Sequence, residues 1–298
     1  MLSSILIPAA VVAGIGLVAG AGLAIASVLM AVPKDERAEA VLEVLPGANC
    51  GACGYSGCSG YAAALASGEA KNGLCAPGGD KAAQDIAAVL GISAEGVERK
   101  TAVVHCLGTY DNTSDKIEYQ GVNSCAAAMQ LFGGTPSCQF GCIGLGDCMN
   151  ACQFDAIGVV DGVAKVNREN CVACGACVGV CPQKIIKLVP KKNQVHVLCS
   201  STDKGAVARK NCNNACIGCM KCTTVCNFDA IHVEDFLARI DADKCKSCGL
   251  CAAICPTGAI NSFKKLPKKE QAEKVAAAKK AKAAAAKEAE KAKAAAQA

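Results

Sequence analysis

Twenty-four of the 298 residues are cysteine, and most of them fall into two copies of one pattern, at residues 138–181 and 212–255. The second copy is displaced from the first by 74 positions and keeps its register without an insertion. Matching FDAI stretches begin at Phe154 and Phe228, so the repeat is a folded unit and not merely a cysteine tract. Thiolates at this density favour a unit that binds metal, with iron and sulfide as the expected partners.

The runs CVACGACVGVCP, at residues 171–182, and CKSCGLCAAICP, at residues 245–256, have the spacing C-x2-C-x2-C-x3-C-P. This spacing is typical of bacterial two-cluster ferredoxins. The resemblance implies that three cysteines of each run bind one 4Fe-4S cluster and that the last cysteine crosses to the other cluster. It predicts two sites with these ligands: Cys152, Cys171, Cys174 and Cys177 in the first unit, and Cys226, Cys245, Cys248 and Cys251 in the second.

The partner site of each unit is less regular. The second unit offers three cysteines at the expected spacing, whereas the first has Leu145 where the counterpart of Cys219 would be. We therefore expect the first unit to recruit Cys138, which leaves its counterpart Cys212 without a role in the second unit. The predicted ligand sets are Cys138, Cys142, Cys148 and Cys181, and Cys216, Cys219, Cys222 and Cys255.

Two other uses of cysteine compete with iron and sulfur in the repeat. Disulfides at this density suit small secreted domains, and this chain does not have the length of one. A zinc site needs four ligands in a tetrahedron, and three successive cysteines with a crossing fourth exceed that need. We therefore favour 4Fe-4S clusters in the four sites.

A separate run, NCGACGYSGC at residues 49–58, lies upstream of the repeat and is closed by a distant cysteine. Four thiolates and several glycines again fit one 4Fe-4S cluster, and a zinc site is the alternative because it uses the same ligands. The predicted ligands are Cys50, Cys53, Cys58 and Cys75.

Four cysteines remain after these five sites. Cys106 and Cys199 each follow a short apolar run that predicts a β-strand, while Cys125 and Cys212 lie near turns or helix starts. Four is the number that a sixth cluster needs. The alternative is that they are isolated buried thiols, which behave as small hydrophobic residues. The sequence thus predicts five clusters and leaves a sixth as an alternative.

Residues 5–32 contain no charged side chain and are long enough to cross a bilayer core of about 30 Å. This predicts a single transmembrane helix in the cell membrane, and we favour it over a cleaved signal peptide because MLSSILIP has no basic residue. Lys34 and Arg37 follow the run, which indicates that the bulk of the chain lies on the cytoplasmic side.

The last residues, 263–298, are almost wholly lysine, alanine, glutamate and glutamine, a composition that favours a solvated helix or disorder. Contact with anionic lipid or an acidic partner is the alternative. This tail carries a net charge of +7, so the rest of the chain carries about −2 and has no nucleic-acid signature.

These features predict an α+β protein with a transmembrane helix, a small helical 4Fe-4S domain and two tandem ferredoxin-like units with a strand-containing insertion. Its expected segments are an anchor at 1–32, a 4Fe-4S domain at 33–98, a strand and loop segment at 99–135, a ferredoxin-like unit at 136–183, a connecting segment at 184–211, a second unit at 212–262 and the tail at 263–298.

In the order of these parts, residues 1–262 resemble the B subunit of the Rnf electron-transport complex. The resemblance implies a membrane-anchored electron-relay subunit of a ferredoxin:NAD oxidoreductase that translocates Na⁺ or H⁺. Its implied partners are soluble ferredoxin as the donor and the flavin-binding, NAD-binding and membrane subunits of the complex. From chain position alone, we expect electrons to enter at residues 136–262 and to leave at the Cys50 site.

The residues agree with a relay, because the sequence has no phosphate-binding loop in a strand-to-helix context, no nucleophile elbow and no HExxH motif. His105, His196 and His232 are the only histidines, and their apolar surroundings predict packing roles rather than catalysis. Two alternatives are a polyferredoxin adaptor of another membrane redox enzyme, such as a hydrogenase, and an iron–sulfur redox sensor that signals through the Cys50 site.

Overall fold

The computed structural model describes residues 2–29, 35–94 and 96–281, and within the first range it describes the side chains of residues 13–27. The first range forms helix α1 (Leu2–Leu29). In the described part of the chain, no helix is long and apolar enough to cross a membrane. The predicted transmembrane helix over residues 1–32 is therefore not supported, and its residues 1 and 30–32 lie outside the described ranges.

A small helical body follows, in which a loop from residue 45 to residue 57 carries the first cysteines. It consists of α2 (Glu36–Val44), α3 (Cys58–Ala66) and α4 (Gly79–Leu90). The Asp35 carboxylate accepts a hydrogen bond from the backbone N–H of Arg37 at 2.9 Å and so caps α2. Gly91, with φ of +69°, ends α4 in the left-handed conformation that glycine adopts without strain. The core of this body contains Val41, Leu45, Tyr61, Ala62, Leu65 and Ile86.

The first ferredoxin-like unit contains two antiparallel strand pairs and three short helices. Its elements are β1 (Lys100–Val104), α5 (Cys125–Met129), α6 (Asp147–Asn150), β2 (Ile157–Val160), β3 (Val163–Val166), α7 (Ala176–Val180) and β4 (Ile186–Pro190). The outer pair joins β1 to β4, from Lys100 opposite Pro190 to Val104 opposite Ile186. The inner pair is the β2–β3 hairpin. Apolar residues of both pairs form one core with the cysteines: Ala102, Val104, Ile157, Ala164 and Ile186.

The second unit repeats this plan. Its elements are β5 (Val195–Val197), α8 (Gly205–Asn211), α9 (Lys221–Val225), β6 (Ile231–Glu234), β7 (Leu237–Ile240), α10 (Leu250–Ile254) and β8 (Ile260–Ser262). The outer pair joins β5 to β8, and the inner pair is the β6–β7 hairpin. Each unit is therefore closed by a strand that precedes its cysteine pattern. Outside α1, the described chain is an α+β structure with two-stranded antiparallel sheets.

The two units contact each other through the segments that follow β1 and β5. The His105 ring lies with Nδ1 2.7 Å from the carbonyl oxygen of Val197. The Ser200 hydroxyl donates to the carbonyl oxygen of His105 at 3.0 Å. These bonds hold the segment that carries Cys106 beside the segment that carries Cys199.

Arg168 fixes the connection between the units. Its guanidinium donates to the carbonyl oxygens of Lys191 and Asn193, each at 3.0 Å, and to the side-chain oxygen of Gln194 at 3.3 Å. It also lies 4.3 Å from the centre of the Phe263 ring, within the range of a cation–π contact. One side chain of the first unit thereby holds both the connecting loop and the end of the second unit.

The described part of the tail includes a helical segment at 269–281. Ala272 on this segment is fully buried, and the Lys279 ammonium donates to the carbonyl oxygen of Cys226. This part of the tail therefore packs on the second unit, whereas the sequence predicted a solvated helix or disorder. Residues 282–298 lie outside the described ranges.

Candidate iron–sulfur sites

Three of the predicted cysteine groups each line a cavity of their own. The cavities have similar empty volumes, about 310 to 350 Å³ with their open mouths included. Their cysteines are Cys50, Cys53, Cys58 and Cys75; Cys152, Cys171, Cys174 and Cys177; and Cys226, Cys245, Cys248 and Cys251. The structure thus brings together all twelve residues in the sets that the sequence predicts.

Two polar side chains shape the Cys50 group. The Asn49 side-chain oxygen accepts a hydrogen bond from the backbone N–H of Cys58 at 2.8 Å, which folds the loop onto the start of α3. The Tyr61 hydroxyl donates to the carbonyl oxygen of Lys71 at 2.9 Å and accepts from the N–H of Leu74 at 3.2 Å. This bridge holds the distant fourth cysteine against the loop. Burial raises the pKa of that thiol, Cys75, and the thiols of Cys58, Cys50 and Cys53 raise it further.

The fourth group, Cys216, Cys219, Cys222 and Cys255, is also brought together as predicted. Burial raises the pKa of Cys222 to about 12, and the neighbouring thiols that contribute are Cys216, Cys219 and Cys255. The backbone N–H of Ala238 donates to the Cys216 sulfur at 3.4 Å, so the β6–β7 hairpin supports this group.

The fifth group differs from the sequence assignment. Cys125, not Cys138, lines a cavity with Cys142, Cys148 and Cys181. Burial raises the pKa of Cys148 to about 12, and the thiols of Cys142, Cys125 and Cys181 raise it further. The structure thus brings Cys125 to the place that the sequence assignment gives to Cys138 in the set of Cys138, Cys142, Cys148 and Cys181.

Asp147 explains how Cys125 reaches this group. Its carboxylate accepts hydrogen bonds from the Ser124 hydroxyl and from the backbone N–H of Ala126, both at 3.0 Å. Asp147 begins α6, and Ser124 caps α5, so the carboxylate joins the helices that carry Cys148 and Cys125.

Cys138 instead lies with the cysteines that the sequence left over. Burial raises the pKa of Cys138 to about 11, and the thiols of Cys199 and Cys212 raise it further. Burial likewise raises the pKa of Cys106 to about 12, with the thiols of Cys142 and Cys138 contributing. Cys199 packs beside Cys212 in a small buried cluster with Ala208 and Ala215. The sixth group is thus Cys106, Cys138, Cys199 and Cys212, with two members from each unit.

Backbone N–H groups point at the sulfurs in a repeated pattern. The N–H of Cys142 donates to the Cys106 sulfur and the N–H of Cys216 to the Cys199 sulfur, each at 3.3 Å. Ala156 and Ala230 donate in the same way to the last cysteine before each hairpin, Cys152 and Cys226, each at 3.4 Å. Such donors stabilise the negative charge of metal-bound thiolates, so the donor set fits iron–sulfur clusters.

None of the 24 cysteines forms a disulfide in the structure. Within the described ranges, no three cysteine, histidine, aspartate or glutamate side chains converge closely enough to hold one metal ion. The cysteines surround cavities, as ligands at the corners of a larger group do.

The six groups can be ordered by which of their thiols lie near one another. In each pair of neighbouring groups, burial raises the pKa of one thiol, and the charge of a nearby thiol of the other group raises it further. With the thiol whose pKa is raised named first, these pairs are Cys251 and Cys222, Cys199 and Cys216, Cys106 and Cys142, Cys148 and Cys177, and Cys174 and Cys50. The series begins at the Cys226–Cys251 group and ends at the Cys50–Cys75 group.

Three family models match separate parts of this arrangement. An Fe–S cluster model matches residues 45–77, and two 4Fe-4S dicluster domain models match residues 141–186 and 215–259. These ranges coincide with the helical body's cysteine loop and with the two repeated units. The matches support iron–sulfur clusters in all three parts of the chain.

Similar proteins cover most of the chain. The B subunit of the Na⁺-translocating ferredoxin:NAD⁺ oxidoreductase complex of Acetobacterium woodii is 43% identical over 262 residues, which is 88% of this chain and 79% of that protein. The B subunit of the ion-translocating oxidoreductase complex of Methanosarcina acetivorans is 40% identical and covers 87% and 99% of the two chains. The B subunit of the proton-translocating ferredoxin:NAD⁺ oxidoreductase complex of Clostridium ljungdahlii is 36% identical and covers 84% and 89%.

This chain belongs to the family of Rnf complex B subunits. The resemblance drawn from the cysteine patterns is thereby confirmed. As a member of this family, the protein is an iron–sulfur electron-relay component of an oxidoreductase.

The histidines of this Rnf protein have no place in the six groups. His105 and His196 lie in the interior, where burial lowers the pKa of His105 and lowers that of His196 to about 4. His232 is exposed, with its ring nitrogen Nε2 3.0 Å from the carbonyl oxygen of Asp229. The sequence predicts apolar surroundings for all three histidines. The structure shows them for His105 and His196, but not for His232.

Residues that position the cysteines were not found by sequence reasoning. Asn49 and Tyr61 hold the Cys50 loop, and Asp147 joins Cys125 to its group. Ser124, before a short alanine run, is a helix-capping signal in the sequence. It marks Cys125 as the first residue of α5.

Proposed function

We propose that this protein accepts electrons from reduced soluble ferredoxin and passes them through six 4Fe-4S sites to flavin- and NAD-binding partner subunits. The complex would translocate Na⁺ or H⁺, the ions named for the relatives from Acetobacterium woodii and Clostridium ljungdahlii. The single observation that carries the proposal is the unbroken series of six cysteine groups. A 4Fe-4S cluster supplies one-electron redox chemistry.

We assign the ligands by these groups. Five of them follow from the cavities and the thiol contacts, with Cys125 in the set that contains Cys142, Cys148 and Cys181. Cys106, Cys138, Cys199 and Cys212 are assigned to the sixth site, which would lie between the two units and connect them. The backbone N–H donors to sulfur would tune each site by stabilising its more negative state.

The direction along the series follows from its two ends. Cys248 is exposed at one end, where a soluble carrier can approach it. The Cys50 group is at the other end of the series, farthest along it from this exposed cysteine. We therefore propose that electrons enter at the second unit and leave from the Cys50 group to partner subunits. Because cluster ligands must stay reduced, we propose a reducing, cytoplasmic location for this part of the chain.

The experiment that tests this order uses Cys50→Ser and Cys212→Ser in the assembled complex, reduced anaerobically by ferredoxin. Cys50→Ser should abolish NAD⁺ reduction while ferredoxin still reduces the remaining sites of the protein. Cys212→Ser interrupts the middle of the series, so ferredoxin should reduce the sites of the second unit and few of the others. EPR of the rapidly frozen reduced protein counts the reduced sites. Intact NAD⁺ reduction in Cys50→Ser would refute the exit, and full rapid reduction in Cys212→Ser would refute the series.

A further inference from the structure

The second unit carries the two exposed cysteines of the chain, Cys219 and Cys248. Cys248 belongs to the group at the end of the series, and the other cysteines are buried or partly buried. Its counterpart in the first unit, Cys174, is only partly exposed and lies near Cys50. The end group is therefore the one that an outside molecule can approach most closely.

The loop around Cys248 differs from its counterpart in charge. The second unit has Lys244 and Lys246 where the first unit has Asn170 and Val172. Both lysines are exposed. The two runs share their four cysteines and one glycine, Gly175 or Gly249, so the added lysines change the charge of the loop and not its cysteine spacing.

The start of the tail adds more lysines to the same surface. Pro267 packs on the loop so closely that a Cβ added to Gly249 would lie 2.9 Å from the Pro267 Cδ. Gly249 has φ of +79°, so both space and backbone conformation require glycine there. Lys279 donates to the carbonyl oxygen of Cys226, another cysteine of the end group. The tail thus contacts the end group at two points, and Cys248 stays exposed.

The surface is positive even after its acidic residues are counted. Residues 241–251 and 264–281 contain nine lysines and four acidic residues, a net charge of +5. Lys244 is paired with Asp241 at 3.8 Å and Lys269 with Glu273 at 4.0 Å. The exposed lysines at 264, 265 and 268 lie next to the segment that packs on Gly249.

We propose that this lysine-rich surface docks a small acidic electron-carrier protein over Cys248. The inference rests on the proposed function, to which it adds the docking site and the charge of the partner. Complementary charge concentrates and orients a partner before contact, and this attraction weakens as salt shortens the Debye length. The occupant is a protein and not a small anion, because the exposed lysines are spread over the loop of Cys248 and the tail segment that packs on it.

The test measures binding of an oxidised acidic two-cluster ferredoxin to the full-length protein with its clusters in place. Isothermal titration calorimetry gives the dissociation constant at about 20 mM and about 300 mM ionic strength. The test variant is K264E/K265E/K268E. We expect its dissociation constant to rise about tenfold or more at low salt and to differ from the wild type by less than about threefold at high salt.

The control variant is K71E/K81E/K184E, which makes the same change of charge at exposed lysines elsewhere on the surface. It should bind within about twofold of the wild type at low salt, because its lysines are distant in sequence from the end group. Iron content and reduction by dithionite should be unchanged in both variants, which shows that the sites are intact.

An unchanged dissociation constant in the test variant would overturn the docking surface, and so would an equal loss in the control variant. The proposed function fails separately. If ferredoxin binds wild-type protein but does not reduce it, while dithionite does, then the donor is wrong although the surface is right. If wild-type protein does not bind the ferredoxin at all, both proposals fail.

Discussion

Pairs of cysteine-to-serine substitutions test how the thiols are grouped. Six sites of four iron atoms predict about 24 iron and 24 sulfide per chain, and each emptied site removes about four of each. Cys125 and Cys148 line the same cavity, whereas Cys138 lies near Cys199 and Cys212, the thiols of a different group. Cys148→Ser alone should therefore leave about 20 iron atoms. Adding Cys125→Ser should leave that number unchanged, and adding Cys138→Ser should lower it to about 16.

The assay is iron and acid-labile sulfide on anaerobically purified protein, with EPR of the reduced form to count the remaining sites. The comparison is internal, because each double variant is measured against Cys148→Ser. Two residues of one site give a non-additive loss, and two residues of separate sites give an additive one. The reverse result, with Cys138→Ser silent beside Cys148→Ser and Cys125→Ser additive, would refute the structural grouping and support the grouping inferred from sequence. If the wild-type protein contained only about 20 iron atoms per chain, the sixth site would hold no cluster.

Gly144 has φ of +83°, and a Cβ there would lie 2.5 Å from a backbone carbonyl oxygen, so Gly144→Ala should destabilise the fold by about 2–4 kcal/mol in urea unfolding. Gly158→Ala, where the added Cβ meets no atom within 4 Å, should change it by less than about 1 kcal/mol, and equal losses would contradict this account. Arg168→Ala removes three hydrogen bonds and a cation–π contact and should cost about 2–4 kcal/mol in the same assay, whereas a loss below about 1 kcal/mol would show that water replaces those contacts. Burial lowers the pKa of His196 from 6.5 to about 4, so between these values the unfolded chain binds a proton that the folded chain does not, and stability falls as pH drops. From pH 7.5 to 5.5 the wild type should lose about 1.4 kcal/mol more than His196→Gln, and equal losses would exclude this linkage.

The sequence predicts much of the site because short cysteine runs bind locally. In CKSCGLC, three ligands come from one tight turn, so their grouping requires no knowledge of the rest of the fold. The closing cysteine of each such group, Cys152 or Cys226, has a fixed place before the inner hairpin. These groups appear in the structure as predicted. The α+β character outside α1 follows from the same local patterns.

The exchange of Cys125 and Cys138 could not be predicted in this way, because it depends on contacts across an insertion. Residues 107–137 separate β1 from the repeated pattern of the first unit, and the second unit has no segment of that length. The Asp147 carboxylate binds Ser124 and Ala126 across this insertion, and no spacing rule reports such a bond. Chain distance favoured Cys138, and tertiary contact brought Cys125 to the group.

The transmembrane helix was predicted because residues 5–32 contain no charged side chain. The absence of charge describes the hydropathy of a segment and not its structure. The prediction took the whole of residues 5–32 as one span. No helix in the described ranges is long and apolar enough to cross a membrane. A run of apolar residues therefore predicted the structure less well than the cysteine spacing did. The cysteine spacing depends on the geometry of the group that the cysteines would bind.

The sixth group explains why a repeat of two-cluster units has more cysteines than two such units need. Cys106 and Cys199 follow equivalent outer strands and accept equivalent N–H bonds, from Cys142 and Cys216. Cys138 and Cys212 are counterparts at the 74-residue displacement. Each unit therefore contributes the same pair, and two pairs make four ligands only when the units face each other. The contacts of His105 with Val197 and Ser200 hold them in that arrangement. Under the proposed assignment, a cysteine that is surplus within one unit is a ligand at the junction of two, and the junction would join two separate relays into one.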